Sequence, residues 1–138
     1  MIMPMALAAV LMLIPVAGLA DGETARRIFE HPLPNVPGKA MTAVVVDYPP
    51  GAASPAHRHA ASGFIFAYVL TGKIRSQIDG EPAKVYMAGE HWHEMPGARH
   101  VVSENASDTE PASLLAVFVA EEGETLTLPD STGPQAAP

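Results

Sequence analysis

Phe64-Ile-Phe-Ala-Tyr68-Val-Leu70-Thr71-Gly72-Lys73-Ile-Arg-Ser-Gln-Ile-Asp79-Gly80 is the stretch that decides the fold. A β-branched and aromatic run ends at Thr71-Gly72, a second run follows at once, and Asp79-Gly80 closes it. That punctuation reads as two antiparallel strands and the entry to a third. Working outward, Lys84-Val-Tyr-Met87, His91-Trp-His-Glu94 and Arg99–Ser103 recur at hairpin spacing, separated by Ala88-Gly89-Glu90 and Pro96-Gly97. Upstream, Thr42–Tyr48 is a strand stopped by Pro49-Pro50-Gly51; downstream, Ser113–Ala120 is long and apolar enough to be a buried strand. No amphipathic helix of useful length interrupts the series, so crossover helices and a parallel α/β sheet are disfavoured. Roughly eight short strands of this kind predict an all-β sandwich or barrel.

Between the first two strands lies Gly51-Ala-Ala-Ser-Pro-Ala-His57-Arg-His59. A strand's period of two puts both imidazoles on one face, ~6.6 Å apart along the chain, where they can converge on one ion. The turn Pro96-Gly97-Ala98-Arg99-His100 delivers a third imidazole from a distant segment.

These pieces resemble the cupin family. Gly51, His57 and His59 match its first motif, and Tyr68-Val-Leu-Thr-Gly72 looks like the strand ending in that motif's glycine. Gly89, Pro96-Gly97, His100 and Asn105 match the second motif with spacing off by one. The resemblance covers about Met41 to Val119. It implies a double-stranded β-helix, or jelly-roll, with a metal at the barrel's centre held by His57, His59 and His100. The glutamate that cupins commonly supply after the second His is missing, because Ala60-Ala-Ser-Gly-Phe64 holds no carboxylate. Three readings remain open: a barrel without metal, a three-His site with open positions, or a replacement ligand.

Glu94 is the natural replacement. On an alternating strand Trp92 and Glu94 share one face and His91 and His93 the other; Trp92 suits a pocket wall, which turns Glu94 inward as a ligand or a general base. His31, His91 and His93 are expected on the surface. Phe64, Phe66, Tyr68 and Trp92 are expected in the core.

Composition bounds the rest. The chain has 138 residues, 48% hydrophobic and 17% charged, which suits one domain. Its net charge of -7 disfavours nucleic acid as a partner. With no cysteine, a metal must be held by His, carboxylates or water. Residues 1–20 carry no charged side chain and end in Val16-Ala17-Gly18-Leu19-Ala20, which reads as a signal peptide and predicts a periplasmic or secreted protein. Left uncleaved, the same segment would be its one contact with a membrane. Residues 21–40, broken by Pro32, Pro34 and Pro37, are expected to form an extended arm, 41–121 the barrel, and 122–138 a fraying tail. The expected activity is a metal-dependent, dioxygenase-like reaction on a small, chelating, oxygen-bearing substrate. Iron(II) is the favoured ion, with Mn, Ni, Cu and Zn as alternatives. A non-redox isomerase or lyase and a non-enzymatic binding barrel are the competing readings. An edge strand or the arm could join two copies into a homodimer.

Overall fold

The computed structural model describes residues 22–130, so the apolar stretch read as a signal lies outside the described residues. Ten strands run in chain order: β1 (Thr24–Pro32), β2 (Lys39–Tyr48), β3 (His57–His59), β4 (Phe64–Thr71), β5 (Lys73–Ile78), β6 (Lys84–Met87), β7 (His91–Glu94), β8 (Arg99–Asn105), β9 (Ala112–Glu121) and β10 (Thr127–Pro129). They form two five-stranded antiparallel sheets, in the orders β1-β2-β9-β4-β7 and β10-β3-β8-β5-β6. From β2 onward the chain passes back and forth between the sheets, staying in one sheet only from β5 to β6, which is the double-stranded β-helix.

Burial alternates as that architecture requires. On β9, Leu114, Ala116, Phe118 and Ala120 are buried, as are Ile65, Ala67 and Val69 on β4 and Ile74 and Ser76 on β5. These inner faces meet to form the core; at ~1.5–3 kcal/mol per large side chain, burying Ile65, Val69 and Ile74 is a major part of what closes the barrel.

Gly72 shows why the hairpin between β4 and β5 needs glycine. Its φ is +69°, and a Cβ there would lie 2.4 Å from the Pro111 carbonyl oxygen and 2.8 Å from Ala112 Cβ. Asn105, from the second motif, is buried and holds three backbone carbonyls, those of Tyr48, Pro49 and Glu110, through its side-chain amide. That is a structural role, tying the end of β8 to two loops.

Three sequence expectations change. The arm contributes β1, an edge strand along β2, and its prolines fall at the strand's end and in the following loop. Pro34 and Pro37 therefore remove no ladder hydrogen bond from a central strand. The tail contributes β10, which pairs with β3 through Thr127↔His59 and Pro129↔His57, and Arg99 Nε donates to Asp130 Oδ2 beside it. Phe64 and Phe66 are 41% and 38% exposed rather than in the core. Ile65, Ala67 and Val69 take the inward positions of β4, so period two forces both phenylalanines outward.

Candidate metal centre

His57 and His100 are direct cross-strand partners between β3 and β8, and His59 lies two residues from His57 on the same face. Each of the three offers one nitrogen within 4.8 Å of the others. Their ring centroids stand 4.8 Å (His57–His59), 5.1 Å (His57–His100) and 6.0 Å (His59–His100) apart. The expected trio is thus brought together by two adjacent strands of one sheet.

The facing sheet supplies the carboxylate. Glu94 on β7 is 3% exposed and sits opposite Ile65 of β4. Its Oε1 lies 3.3 Å from His59 Nε2 and 3.3 Å from His100 Nδ1. Trp92 is buried on the same face, whereas His91 and His93 are exposed on the other, as the alternation argument requires.

The donor chemistry suits a cation. His57 Nδ1 donates to the Pro55 carbonyl at 2.8 Å, which leaves Nε2 with its lone pair. His100 Nε2 shares a hydrogen bond with Ser76 Oγ at 2.8 Å, leaving Nδ1 directed to the cluster. Such partners on the far nitrogen are the usual second layer of a metal site. By contrast, His59 Nε2 and Glu94 Oε1 are buried and make no hydrogen bond. Buried polar atoms are rarely left so. Donors about 2.0–2.1 Å from a shared ion stand roughly 3.0–3.4 Å from each other, and the 3.3 Å separations fall in that range. The residues therefore fit a divalent transition metal.

Electrostatics agree. Burial holds the His57 imidazole below its ordinary pKa and pushes His100 down to about 4. Burial alone would raise Glu94, but His59, His100 and His57 outweigh it and hold the carboxyl below its usual range. At neutral pH the cluster is a carboxylate among neutral His57 and His100 rings, a buried negative charge that a metal ion would balance.

The centre opens into a cavity of about 910 Å³. Phe118 packs 5.5 Å from the His59 ring and Trp92 6.3 Å from His100. Carboxylates surround the mouth, among them Glu30, Glu121 and Glu124, while Arg27, a cation of the lining, is paired with Glu30. On β5, Arg75 donates to Glu104 and Gln77 to the Glu81 carbonyl. Two features escaped sequence reasoning. Ser76 was legible in principle as a polar residue at an inward position of β5. Tyr48 was hidden within an apolar strand; its hydroxyl bonds Ser54 and Ser103 at 2.7 and 2.8 Å in the cavity wall, and burial raises its pKa.

A jelly-roll barrel with three imidazoles converging beside an open cavity defines a barrel with a candidate metal centre. The chain belongs to the cupin family: the Cupin_2 profile, described as "Cupin domain", matches residues 44–118. No curated protein matches it. Among solved structures it is similar to a conserved double-stranded β-helix protein from Klebsiella pneumoniae (20% identity, 86% of this chain and 90% of that one, TM-score 0.62). It is similar to a recombinant oxalate oxidase in complex with glycolate (20%, 79% and 57%, TM-score 0.60). It is also similar to the DMSP lyase DddQ from Ruegeria pomeroyi (23%, 70% and 45%, TM-score 0.56). The chain spans just over half of the oxidase and under half of the lyase, and at these identities the likeness is one of fold.

Proposed function

We propose that this cupin is a metal-dependent, dioxygenase-like enzyme acting on a small oxygen-bearing organic molecule. The observation that carries the reading is the orphaned Glu94 Oε1, 3.3 Å from two imidazole nitrogens, at the base of a cavity large enough for such a ligand. His57, His59 and His100 hold the ion and Glu94 is an exchangeable fourth donor, standing in for the glutamate missing after His59. Iron(II) when bound would supply redox chemistry with oxygen and a site for a chelating substrate.

This chain's own groups do the rest. Ser76 and the Pro55 carbonyl fix the rings of His100 and His57. Glu94, as the buried carboxylate beside the incoming ligand, accepts the proton of an enol or hydroxyl. Phe118 and Trp92 wall the site with apolar surface. The carboxylate-rich mouth favours a substrate that enters neutral and gives up its proton inside over one that arrives as a dianion. The apolar residues 1–20 support a periplasmic or secreted location.

A second reading is a non-redox isomerase or lyase, favoured by a buried carboxylate that is ionised at neutral pH and needs no oxidant to move a proton. Oxygen consumption by iron(II)-loaded protein with a β-diketone or flavonol supports the first reading. Turnover that survives replacement of iron by zinc supports the second. Metal-dependent ligand binding with no product across such a panel would leave a binding barrel and sink both.

A further inference from the structure

Tyr48, Ser54 and Ser103 place three hydroxyls together in a cavity wall whose lining also includes the apolar Val44, Val46 and Leu114. Tyr48 and Ser103 are buried. The Tyr48 hydroxyl is bonded to Ser54 Oγ at 2.7 Å and to Ser103 Oγ at 2.8 Å. Three hydroxyls carry three protons, and the two hydrogen bonds use two of them. However the three are turned, one O–H is left to donate, and among the described residues no acceptor takes it. Burying a hydroxyl whose donor is unused costs free energy, and phenylalanine would fill the place of Tyr48 without that cost.

The trio is held in place by backbone. The register of β5 against β8 shifts between Gln77 and Ile78, so Val101 is an extra residue between His100 and Ser103. Both are therefore buried on the inner face although an odd number of positions separates them. The Ser54 N–H donates to the Ser103 carbonyl at 2.9 Å, which pins the loop before β3 to the same strand. Ser54 precedes His57, and Ser103 follows His100, by the same short stretch of chain. At ~3.3 Å per residue that separation is at most roughly 10 Å, a span one small molecule can bridge.

We propose that Tyr48, Ser54 and Ser103 form a carbonyl-binding subsite, their remaining O–H donating to a neutral oxygen of a substrate whose chelating end lies at the imidazole cluster. This subsite rests on the metal-dependent reading above and gives the same substrate a second point of attachment. The carboxylates Glu23, Glu30 and Glu121 in the same lining disfavour an anionic oxygen there, so the acceptor is a ketone or ester carbonyl rather than a carboxylate. Burial holds the Tyr48 hydroxyl above the usual phenol range, so it keeps its proton at neutral pH. Attachment at two points orients the substrate along the apolar wall between them. The three hydroxyls position the substrate; they do not act as its acid or base.

Calorimetric titration of the zinc-loaded full-length chain tests this with nonane-2,4,8-trione and nonane-2,4-dione, two chelators that differ only in the distant carbonyl; zinc has no redox chemistry to consume them. The trione should bind about three- to ten-fold more tightly, the worth of one neutral hydrogen bond. The combined variant Tyr48→Phe, Ser54→Ala, Ser103→Ala should bind both equally, with the metal content and dione affinity of the parent. A second measurement needs no variant: the infrared stretch of the trione's distant carbonyl, isotope-labelled, should lie below its value in hexane when bound to the parent. Equal binding of the two chelators by the parent overturns the subsite, as does a preference that survives in the folded combined variant or a hexane-like stretch. If neither chelator binds the zinc-loaded parent, the metal-dependent reading falls and the subsite with it.

Discussion

His57 and His100 face each other as paired residues of β3 and β8, with ring centroids 5.1 Å apart. Two of the three nitrogen donors are therefore fixed by strand register rather than by loops. A one-residue slip of β3 would turn both of its imidazoles to the opposite face.

β3 is only three residues long, and two of its residues pair with β8. Its other edge is held by β10, whose Thr127 lies opposite His59. A chain ending at Gly123 should fold but bind metal about ten-fold more weakly, because His59 loses its cross-strand partner; losses of that size are typical when a supporting group is removed. Calorimetric titration with zinc measures it, and unchanged affinity would separate β10 from the site.

Glu94 is a buried carboxylate with an unbonded oxygen. Glu94→Gln should weaken metal binding by at least about ten-fold, or ~1.4 kcal/mol. The same change should also cost the metal-free protein some stability in urea denaturation at pH 7, because the imidazoles that hold the Glu94 carboxyl below its usual range make its charge a net stabilising group. Weakened metal binding by a variant that is still folded marks a ligand, whereas a loss of stability with metal affinity unchanged marks an ordinary structural carboxylate.

Acid should destabilise the metal-free protein. His100 has a pKa near 4 when folded against 6.5 when free. The unfolded chain thus takes up the proton first as pH falls. Stability is complete above about 6.5, declines towards 4 and then levels, a loss on the order of 3 kcal/mol from this residue. His57 moves in the same direction, and Glu94, held low, loses its own contribution as pH falls through its folded pKa. Urea midpoints from pH 7 to 4 follow this; a flat profile would contradict the burial assigned to the cluster.

Gly72→Ala should destabilise the fold by at least about 1–2 kcal/mol, the penalty of a left-handed residue with a Cβ, before the contact with the Pro111 carbonyl is counted. Thermal unfolding reads the shift, and an unchanged midpoint would mean that the hairpin can be rebuilt.

The central strands were legible because period-two patterning and Gly or Pro turns survive in one sequence; the inward pairing of Trp92 with Glu94 followed from the same period. β1 and β10 were not legible. Three prolines masked the first, and the second is three residues whose conformation is set by pairing with β3, a non-local contact. Phe64 and Phe66 misled for a different reason. Aromatic character predicts burial, but in a run that is apolar on both faces the sequence does not say which alternate residues point inward. The three-His set was legible from motif spacing, whereas the approach of Glu94 across the barrel depends on the packing of the two sheets.

The most direct test of the metal-centre reading is elemental analysis of the purified protein beside His57→Ala and His100→Ala. The account predicts about one transition-metal ion per chain in the parent and loss of most of it in each variant, with the fold retained. Equal metal content in all three proteins, or none in the parent after loading with iron(II), zinc or manganese, would contradict it.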